Sequence, residues 1–309
     1  DSYVTFNTDI KAGTIFTEAG VDVTAQLYTG SALSSSGSMN ITDRIITPTK
    51  LEYKQTFLQE SLRSARFNRS MSPGAWNIES NEFASTVLAM VGPNVSQDAE
   101  SLFWGGITSA TKIAIAGLIP GAGQGSMTAA TQTAVAALTA GLVDGVFAKV
   151  LYDESALGGY IKVTGTTVTA SNIAAECAKI FAAIPAENLN DTVSPTVIYA
   201  PRAWKQLCYN ANNAVGAAQQ INFVITGDDF SKSKVYYNGI ELLFVPAPND
   251  LMAYAQRKAA VSWNTDLTDD VNRFEVGKLV NDGDVQFVRS IYTLAANVGQ
   301  ATKGVLYGG

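Results

Sequence analysis

The length, composition and charge of the chain exclude several classes of site before any motif is considered. Its 309 residues include no histidine and only two cysteines, Cys177 and Cys208. It therefore cannot hold a Ser-His-Asp or Cys-His catalytic site, an imidazole metal site or a Cys₄ zinc site. A net charge of −6 argues against a nucleic-acid binder that works through a dense basic surface.

The first 60 residues predict two strands rather than a compact domain. Residues 1–20 have no helical period, and residues 21–28 alternate in polarity, which indicates a strand. Residues 29–38 are a Gly/Ser-rich loop, and residues 41–57 form a second extended stretch. Together they predict a protruding hairpin, which is marginal in water by itself. We therefore expect it to lie on the rest of this chain or on another subunit.

The middle of the chain predicts helices. Apolar residues recur at helical spacing over residues 83–104, 127–151 and 166–184. Gly92 and Pro93 predict a kink in the first of these helices, and Pro185 ends the third. Residues 107–126 are Gly-rich and predict an irregular segment.

The last third of the chain predicts mainly strands. A buried strand over residues 196–200 leads into a helix that begins at Pro201, and Asn238-Gly239 predicts a tight hairpin over residues 235–245. Further elements are strands over residues 252–263, 273–280, 285–294 and 304–307, with a turn at residues 281–284. Because strands and helices do not alternate as βαβ units, the fold class is α+β.

A glycine-rich run is the first candidate site. Gly121, Gly123 and Gly125 precede a helical segment, as in a phosphate-binding loop. The run lacks the spacing of a dinucleotide fingerprint and the Lys-Ser/Thr of a P-loop. A flexible loop is the favoured interpretation, and a phosphate site is the alternative.

Acidic residues are the second candidate. Five aspartates could collect a hard cation: Asp228, Asp229, Asp266, Asp269 and Asp270. The run over residues 266–270 lacks the ligand ladder and terminal Glu of a calcium loop, so solvated turns are favoured. A carboxylate pair for acid–base work cannot be singled out among 27 acidic residues. We therefore predict no catalytic, cofactor-binding or metal-binding residue.

Basic residues cluster near the start of the chain. Arg63, Arg66 and Arg69 would share one face of a helix, and Lys50 and Lys54 lie close by in the sequence. Inter-subunit ion pairs or plain solvation are favoured, and a DNA-facing patch is the alternative. The four tryptophans lie beside apolar or glycine residues, which favours packing over a ligand site: Trp76, Trp104, Trp204 and Trp263.

Membrane and export signals are absent from the sequence as given. The most apolar stretches, residues 113–119 and 134–143, fall short of the ~20 residues that a membrane span needs. No signal peptide is visible. Cys177 and Cys208 lie in different helical segments without a framework of further cysteines, which favours a reduced, intracellular history.

Several stretches, taken in order, resemble one family. Residues 46–51 are similar to the strand that returns from its extended loop. Residues 78–106 are similar to its long spine helix and the exit from that helix, and residues 144–147 to a short motif that follows. Further similar stretches follow at residues 197–204, 237–240, 245–246, 264–267 and 284–287. The chain resembles the tailed-phage major capsid proteins with the HK97-type fold.

The resemblance implies a division of the chain. It would comprise an N-terminal arm over residues 1–20, an extended β-hairpin loop over 21–60, a peripheral domain with the long spine helix over 61–155 and 255–309, and an axial domain over 156–254. Some members link a lysine of the extended loop to an asparagine of a neighbour. Lys50 and Lys54 lie near that region, but the surrounding motif does not match, so no cross-link is predicted.

The resemblance also implies a function. Such subunits are not enzymes and self-assemble into hexamers and pentamers of an icosahedral shell that encloses double-stranded DNA. Their partners are further copies, a portal, decoration proteins in some cases, and DNA through non-specific contact. They assemble in the host cytoplasm and reside in the virion, and removal of a scaffolding segment would fit a start at Asp1. The alternatives are an encapsulin-like nanocompartment shell and a phosphate-binding or carboxylate-based enzyme.

Overall fold

Helices and strands are mixed along the chain in the computed structural model, which describes residues 4–8, 14–23, 37–58, 81–117, 129–157, 160–189, 192–214, 223–227, 229–266, 273–279, 282–299 and 303–308. The helices are α1 (Asn81–Gly105), α2 (Ser109–Ala116), α3 (Ala129–Ala137), α4 (Val146–Leu157), α5 (Ile173–Ala183), α6 (Ala186–Leu189) and α7 (Arg202–Ala214). The early strands are β1 (Thr5–Asn7), β2 (Thr14–Val23), β3 (Gly37–Ile46), β4 (Thr49–Leu58), β5 (Ile161–Thr164) and β6 (Thr196–Pro201). The later strands are β7 (Val224–Thr226), β8 (Lys234–Tyr237), β9 (Ile240–Val245), β10 (Met252–Arg257), β11 (Val261–Asn264), β12 (Arg273–Leu279), β13 (Asp282–Val298) and β14 (Val305–Gly308). The predicted α+β class is confirmed.

A five-stranded sheet forms around the long strand β13. The strand pairs with β4, β12 and β11, and β1 adds to β11 in parallel. On β4, Leu51 is buried and Tyr53 packs against the core, while Lys50 and Lys54 are exposed. This alternation places Leu51 and Tyr53 on the protein interior and leaves Lys50 and Lys54 on the other face exposed.

A seven-stranded sheet lies at the centre of the molecule, in the order β5-β14-β10-β6-β9-β8-β7. Both of its faces are covered. Tyr199 and Tyr254 belong to one buried cluster with residues of α1 and α4, whereas Ile198, Ala255 and Tyr307 belong to a second with residues of α5 and α7. Because both faces are covered, β6 is buried at all six positions.

The two large sheets are connected by a short 3₁₀ turn. The sequence predicts one strand over residues 252–263, whereas the structure has β10 and β11 separated by Lys258–Ala260. β10 belongs to the seven-stranded sheet and β11 to the five-stranded sheet. Aromatic rings bridge the same junction, since Phe103 stacks on Trp263 at 4.9 Å and Trp104 packs on Tyr199 at 4.9 Å between ring centroids. The end of α1 therefore packs against both sheets.

Strands β2 and β3 form a separate two-stranded sheet. The pairing runs without interruption from Thr14 opposite Ile46 to Val23 opposite Gly37. The sequence predicts a strand over residues 21–28, whereas β2 begins at Thr14. The strand is this long because each of its residues pairs with a residue of β3. The second predicted stretch, residues 41–57, divides at Pro48 into β3 and β4, since proline cannot donate to a ladder. Residues 24–36, with most of the predicted loop, lie outside the described residues.

α1 runs through Gly92 and Pro93 as one helix, and the kink predicted at these residues stays a prediction. The helices differ from the sequence prediction in two other places. The helix predicted over residues 127–151 is two helices, α3 and α4, separated by residues 138–145. The segment predicted as irregular, residues 107–126, contains α2. These two differences are connected by hydrogen bonds, because Asp144 in the break between α3 and α4 accepts from Thr108 and Thr111 at the start of α2.

The tight hairpin predicted at Asn238-Gly239 is confirmed. β8 and β9 pair around these two residues, which have φ angles of 47° and 83°. Both values lie in the left-handed region that a type I′ turn requires. The turn predicted over residues 281–284 is shorter, because Asp282 already pairs with Leu279 as the first residue of β13.

Candidate interaction surfaces

The β2–β3 sheet has two chemically different faces. Opposite residues of an antiparallel pair lie on the same face, and faces alternate along each strand. From the register, one face takes the odd-numbered positions: Ile15, Thr17, Ala19, Val21, Val23, Gly37, Met39, Ile41, Asp43 and Ile45. The other takes the even-numbered positions: Thr14, Phe16, Glu18, Gly20, Asp22, Ser38, Asn40, Thr42, Arg44 and Ile46. The odd-numbered face is therefore mainly apolar and the even-numbered face mainly polar.

The body of the subunit contacts the base of this sheet on its even-numbered side. Ile46, at the last even-numbered position, is 1% exposed and packs with Ala295 of β13. Otherwise, among the described elements, β2 and β3 contact chiefly each other. At the base of the sheet the contact with the five-stranded sheet is therefore made from an even-numbered position.

A short N-terminal strand is attached to the opposite end of the chain. β1 lies parallel to β11, the Asn7 side-chain amide donates to Asn264 Oδ1 at 2.9 Å, and Thr265 N donates to the Asn7 carbonyl at 3.0 Å. Asn264 is fully buried, so this pair satisfies polar atoms that would otherwise be orphaned. Residues next to the hairpin are therefore fixed to the five-stranded sheet.

A corner of close backbone contacts holds the end of α1 against the start of α4. A Cβ on Gly145 would lie 2.6 Å from the Phe103 carbonyl oxygen, and one on Gly106 would lie 2.4 Å from that of Leu102. Only glycine permits these approaches. Next to the corner, Asp144 accepts hydrogen bonds from Thr108 N at 2.7 Å and from the Thr111 hydroxyl at 2.8 Å. Asp144 therefore holds Thr108, the N-cap residue of α2, whose side chain accepts from Thr111 N.

Large apolar side chains remain exposed at several places in the described residues. They are Met90, Ile113, Leu142, Leu189, Val193, Val224 and Phe230. Ile113 of α2 and Leu142 of the break between α3 and α4 are 74% and 70% exposed. Isolated exposed apolar residues are common on proteins, so these positions are surfaces available for contact rather than sites in themselves.

A buried carboxylate joins three segments beneath α5. Glu176 is 4% exposed, and it accepts hydrogen bonds from Lys179 at 2.9 Å, the Tyr307 hydroxyl at 2.8 Å and the Thr166 hydroxyl at 3.0 Å. Burial acts to raise the pKa of Glu176, but the hydrogen bonds and the charge of Lys179 outweigh it and hold this pKa below its usual value. Burial, followed by the contact with Glu176, raises the pKa of Tyr307. The network is fully paired and ties β14 to α5.

The two cysteines are unreactive by environment. Cys177 of α5 and Cys208 of α7 are both buried and free. Burial raises the pKa of Cys177 to about 12 and also raises that of Cys208. A thiol held in its protonated form is a poor nucleophile and metal ligand.

The structure does not gather the acidic candidate residues into one site. Asp229 accepts from Ser231 N at 3.0 Å in the turn before β8, and Asp266 N donates to the Thr293 hydroxyl at 2.9 Å beside the five-stranded sheet. The two lie next to different sheets, and Asp228, Asp269 and Asp270 lie outside the described residues. Within the described part of the chain, no group of three or more acidic or cysteine residues is arranged to hold a metal ion.

The remaining candidates are partly described. Trp104, Trp204 and Trp263 pack against other aromatic rings, in agreement with the predicted packing role. Gly121, Gly123 and Gly125, the three arginines Arg63, Arg66 and Arg69, and Trp76 lie outside the described residues. None of the described helices is long and apolar enough to cross a membrane.

Two polar residues with clear structural roles, Asp144 and Glu176, are not singled out by the sequence. Asp144 binds Thr108, which lies 36 positions earlier in the chain, and the Tyr307 that binds Glu176 is 131 positions away. In the sequence Asp144 stands out only as part of the family-like stretch 144–147. The local signal for Glu176 is its acidic character in the first turn of α5, which is common at helix starts.

Comparison with known proteins locates the fold. No protein-family model matches the sequence, and no curated protein matches it. The structure is similar to a chain of the satellite phage P4 procapsid that includes the size determination (Sid) protein, with a TM-score of 0.56, 12% identity, and coverage of 98% of this chain and 85% of that one. It is also similar to the capsid of an empty GTA particle, with a TM-score of 0.56, 10% identity, and coverage of 99% and 87%.

A third similar structure is that of Mycobacterium phage Adephagia, with a TM-score of 0.52, 12% identity, and coverage of 99% of this chain and 88% of that one. At these identities the likeness concerns the fold. It extends over nearly the whole chain, so the fold as a whole is shared. The resemblance to phage capsid proteins predicted from the order of sequence motifs is confirmed at the level of the fold.

Proposed function

We propose that this chain, which has the fold found in phage capsid structures, is a major capsid protein of a tailed double-stranded DNA bacteriophage. It self-assembles into hexamers and pentamers of an icosahedral shell and has no catalytic role. The fold likeness supports a shell subunit. The absence of histidine is compatible with a protein whose work is done by packing surfaces.

The observation that carries the proposal is the amphipathic β2–β3 sheet. A two-stranded sheet is marginal in water unless its apolar face is covered. In this chain the subunit's own core meets the even-numbered side, at Ile46. We infer that a second copy covers the odd-numbered face, so that the hairpin is ordered by assembly. Contacts of this kind, repeated around a ring, supply the large apolar interfaces of permanent assemblies.

The division of the subunit is part of the proposal. An N-terminal arm over residues 1–20 and an extended loop over 21–60 would reach neighbours, while a peripheral domain over 61–155 and 255–309 and an axial domain over 156–254 form the body. The boundary at residue 254 falls within β10, in the seven-stranded sheet. We therefore expect the two body domains to move together rather than to hinge at this point.

The acidic charge fits a shell that must release its contents. Each phosphate contact adds salt-dependent affinity, so a strongly basic lumen would retain DNA. The proposed partners are further copies of the chain, a portal, decoration proteins and packaged DNA through non-specific contact. The proposed location is the virion, after assembly in the host cytoplasm.

Electron microscopy of the purified protein tests the proposal. We expect closed, roughly spherical particles of uniform diameter, together with light scattering far above that of a 32.7 kDa monomer. A monomer that persists at high concentration, with and without crowding agents, would contradict it. The contents of particles from infected or producing cells distinguish a phage shell, which protects DNA from nuclease, from an encapsulin-like compartment, which encloses protein cargo.

A further inference from the structure

The turn between β8 and β9 carries a pair of residues that can react with each other. Asn238-Gly239 is the only Asn-Gly pair in the sequence. The backbone nitrogen that follows an asparagine can attack the side-chain carbonyl carbon of that asparagine, because the two groups belong to one chain and close a five-membered ring. Glycine hinders this attack least, since it has no Cβ. The sequence therefore singles out this turn for a reaction within the chain.

The structure leaves both reacting groups accessible. Asn238 and Gly239 are exposed. A Cβ built on Gly239 would meet nothing within 4 Å in the described structure. The strand pairing ends at Tyr237 opposite Ile240, so the Gly239 nitrogen takes no part in the ladder. Water can therefore reach the attacking nitrogen and the side-chain amide that it would attack.

The backbone of the turn has to rotate before the ring can close. The type I′ turn fixes the backbone angles of Asn238, and the reaction needs the Gly239 nitrogen brought onto the side-chain carbon. Asn238 has a φ of 47°, a left-handed conformation that any residue other than glycine adopts at a cost. This cost favours opening, and an exposed turn loses few contacts when it opens. The turn therefore slows the reaction without preventing it.

A second residue pair in the chain, Asp144-Gly145, has the opposite setting. The Gly145 nitrogen donates to the Gly106 carbonyl at 2.9 Å, and a Cβ on Gly145 would lie 2.6 Å from the Phe103 carbonyl oxygen. The Asp144 carboxylate accepts a hydrogen bond from Thr108 N at 2.7 Å. Rotation of the backbone here would break these bonds and separate the closely packed end of α1 from the start of α4. The nitrogen of Gly145 is thus held away from reaction.

We propose that Asn238 is a self-modification site, at which the backbone nitrogen of Gly239 attacks the side-chain carbonyl carbon of Asn238. A carbon–nitrogen bond forms, the bond from that carbon to the side-chain amide nitrogen breaks, and ammonia leaves with the proton that the Gly239 nitrogen gives up. Water then opens the five-membered ring at either of its carbonyl carbons. The products are aspartate, or isoaspartate with the chain continuing through the side chain.

Isoaspartate at this position changes the turn. It lengthens the backbone by a carbon atom and adds a negative charge. Tyr237 and Ile240, on either side of the turn, are 9% and 7% exposed and belong to the buried cluster that includes residues of α5 and α7. A two-residue turn fits the strands through its backbone angles, and a longer backbone loses that fit. The modified chain should therefore unfold at a lower temperature.

Two sites with the same local sequence test the proposal. Asp144→Asn makes positions 144–145 an Asn-Gly pair, so that positions 144 and 238 differ in their surroundings and not in their chemistry. Mildly alkaline buffer favours the reaction, because the attacking nitrogen must lose its proton. We expect position 238 to convert at least about tenfold faster than position 144 in the folded subunit, and both to convert at similar rates in urea. Peptide mass spectrometry measures the replacement of the amide NH₂ by a hydroxyl.

Equal rates at the two positions of the folded variant would overturn the proposal, and circular dichroism shows whether that variant folds. The unchanged protein provides a second test that does not need the variant. Its conversion at position 238 should be no more than about tenfold slower in the folded subunit than in urea. A larger difference would overturn the proposal, because the turn would then protect Asn238.

Asn238→Gly is the control for the effect on the turn, because it keeps a residue that accepts positive φ and removes the reactive amide. Incubated unchanged protein should show a lower thermal unfolding midpoint than fresh protein, whereas incubated Asn238→Gly should match its fresh sample. A similar loss in Asn238→Gly, or an unaltered midpoint in protein that has converted, would overturn the inferred effect. All measurements use free subunits, so the inference does not depend on the proposed function.

Discussion

The seven-stranded sheet and the β2–β3 sheet are held together in different ways. Both faces of the seven-stranded sheet are buried by helices of the same chain, namely α1, α4, α5 and α7. The β2–β3 sheet is longer in each strand but pairs with no third described strand. Its cover on the apolar side has to come from outside the described body of the subunit.

The difference separates what folds the subunit from what assembles it. Burial of apolar surface is the dominant favourable term in both processes. In the seven-stranded sheet that surface is buried within one chain, so changes there should alter unfolding. Under the proposed function the apolar surface of the hairpin is buried between chains, so changes there should alter assembly and leave unfolding of the free subunit nearly unchanged.

The largest expected effects come from two substitutions, one that truncates a core side chain and lowers the free energy of unfolding, and one in the hairpin that prevents assembly. Trp204 is fully buried and donates to the Asp250 carbonyl at 3.0 Å, so Trp204→Ala should lower the free energy of unfolding by about 3–5 kcal/mol. Ile41→Asp, on the odd-numbered face, should leave it unchanged and prevent assembly. Urea unfolding followed by circular dichroism measures the first effect, and light scattering the second.

The matched control for that comparison is Thr42→Asp, one residue away on the even-numbered face. It should permit assembly. Loss of assembly in both hairpin variants, or a large loss of subunit stability in Ile41→Asp, would show that the hairpin is part of the folded core.

The next largest effect should come from Asp144, which joins α2 to the break between α3 and α4. Asp144→Ala removes the carboxylate that accepts hydrogen bonds from one backbone N–H and two hydroxyls. It should therefore lower the free energy of unfolding by about 2 kcal/mol. Asp144→Asn keeps one acceptor oxygen and should cost less. An alanine variant as stable as the unchanged subunit would show that water replaces these bonds without loss.

A smaller, pH-dependent effect is expected at Tyr307. Tyr307→Phe removes one hydrogen bond to the Glu176 carboxylate, so it should lower the free energy of unfolding by about 1.5 kcal/mol at pH 7. The pKa of Glu176 is lowered in the folded state, so the stabilisation is present above its unfolded pKa of about 4.3 and is lost as pH falls through the folded value. The difference between the two proteins should therefore narrow as the pH falls below the unfolded pKa in urea titrations. A constant difference from pH 7 to pH 3 would argue against the carboxylate as the partner.

The smallest effect should come from the turn between β8 and β9. Gly239 has a φ of 83°, so Gly239→Ala should lower the free energy of unfolding by about 1 kcal/mol through backbone strain. No side chain or backbone atom lies close to an added Cβ at this position, so the loss should not include a steric clash. Thermal unfolding measures it, and a loss of several kcal/mol would indicate that the turn packs against more than its own strands.

The parts of the fold that the sequence predicts are those with local causes. Asn238-Gly239 fixes a hairpin through two φ angles, and the strand at Thr196–Pro201 follows from a run of apolar residues. The parts it misses depend on distant partners. The hydrogen bonds of Asp144 to the start of α2 and the division of residues 252–263 between two sheets each require contacts across many residues.

The candidate surfaces show the same division. The polarity of residues 21–57 and the flexible composition of the loop predict a hairpin, and they also predict that this hairpin needs another surface to cover it. The two faces of the hairpin could not be predicted, because they depend on which residue of β2 lies opposite which residue of β3, and a shift of one residue exchanges them.

Amide hydrogen exchange, compared between free subunits and assembled particles, tests the central claim most directly. The account predicts that residues 14–23 and 37–46 exchange rapidly in the free subunit and become strongly protected in the particle, while Thr196–Pro201 of the seven-stranded sheet is protected in both. Equal protection of the hairpin in the two states would contradict it, because the hairpin would then be stabilised within its own chain.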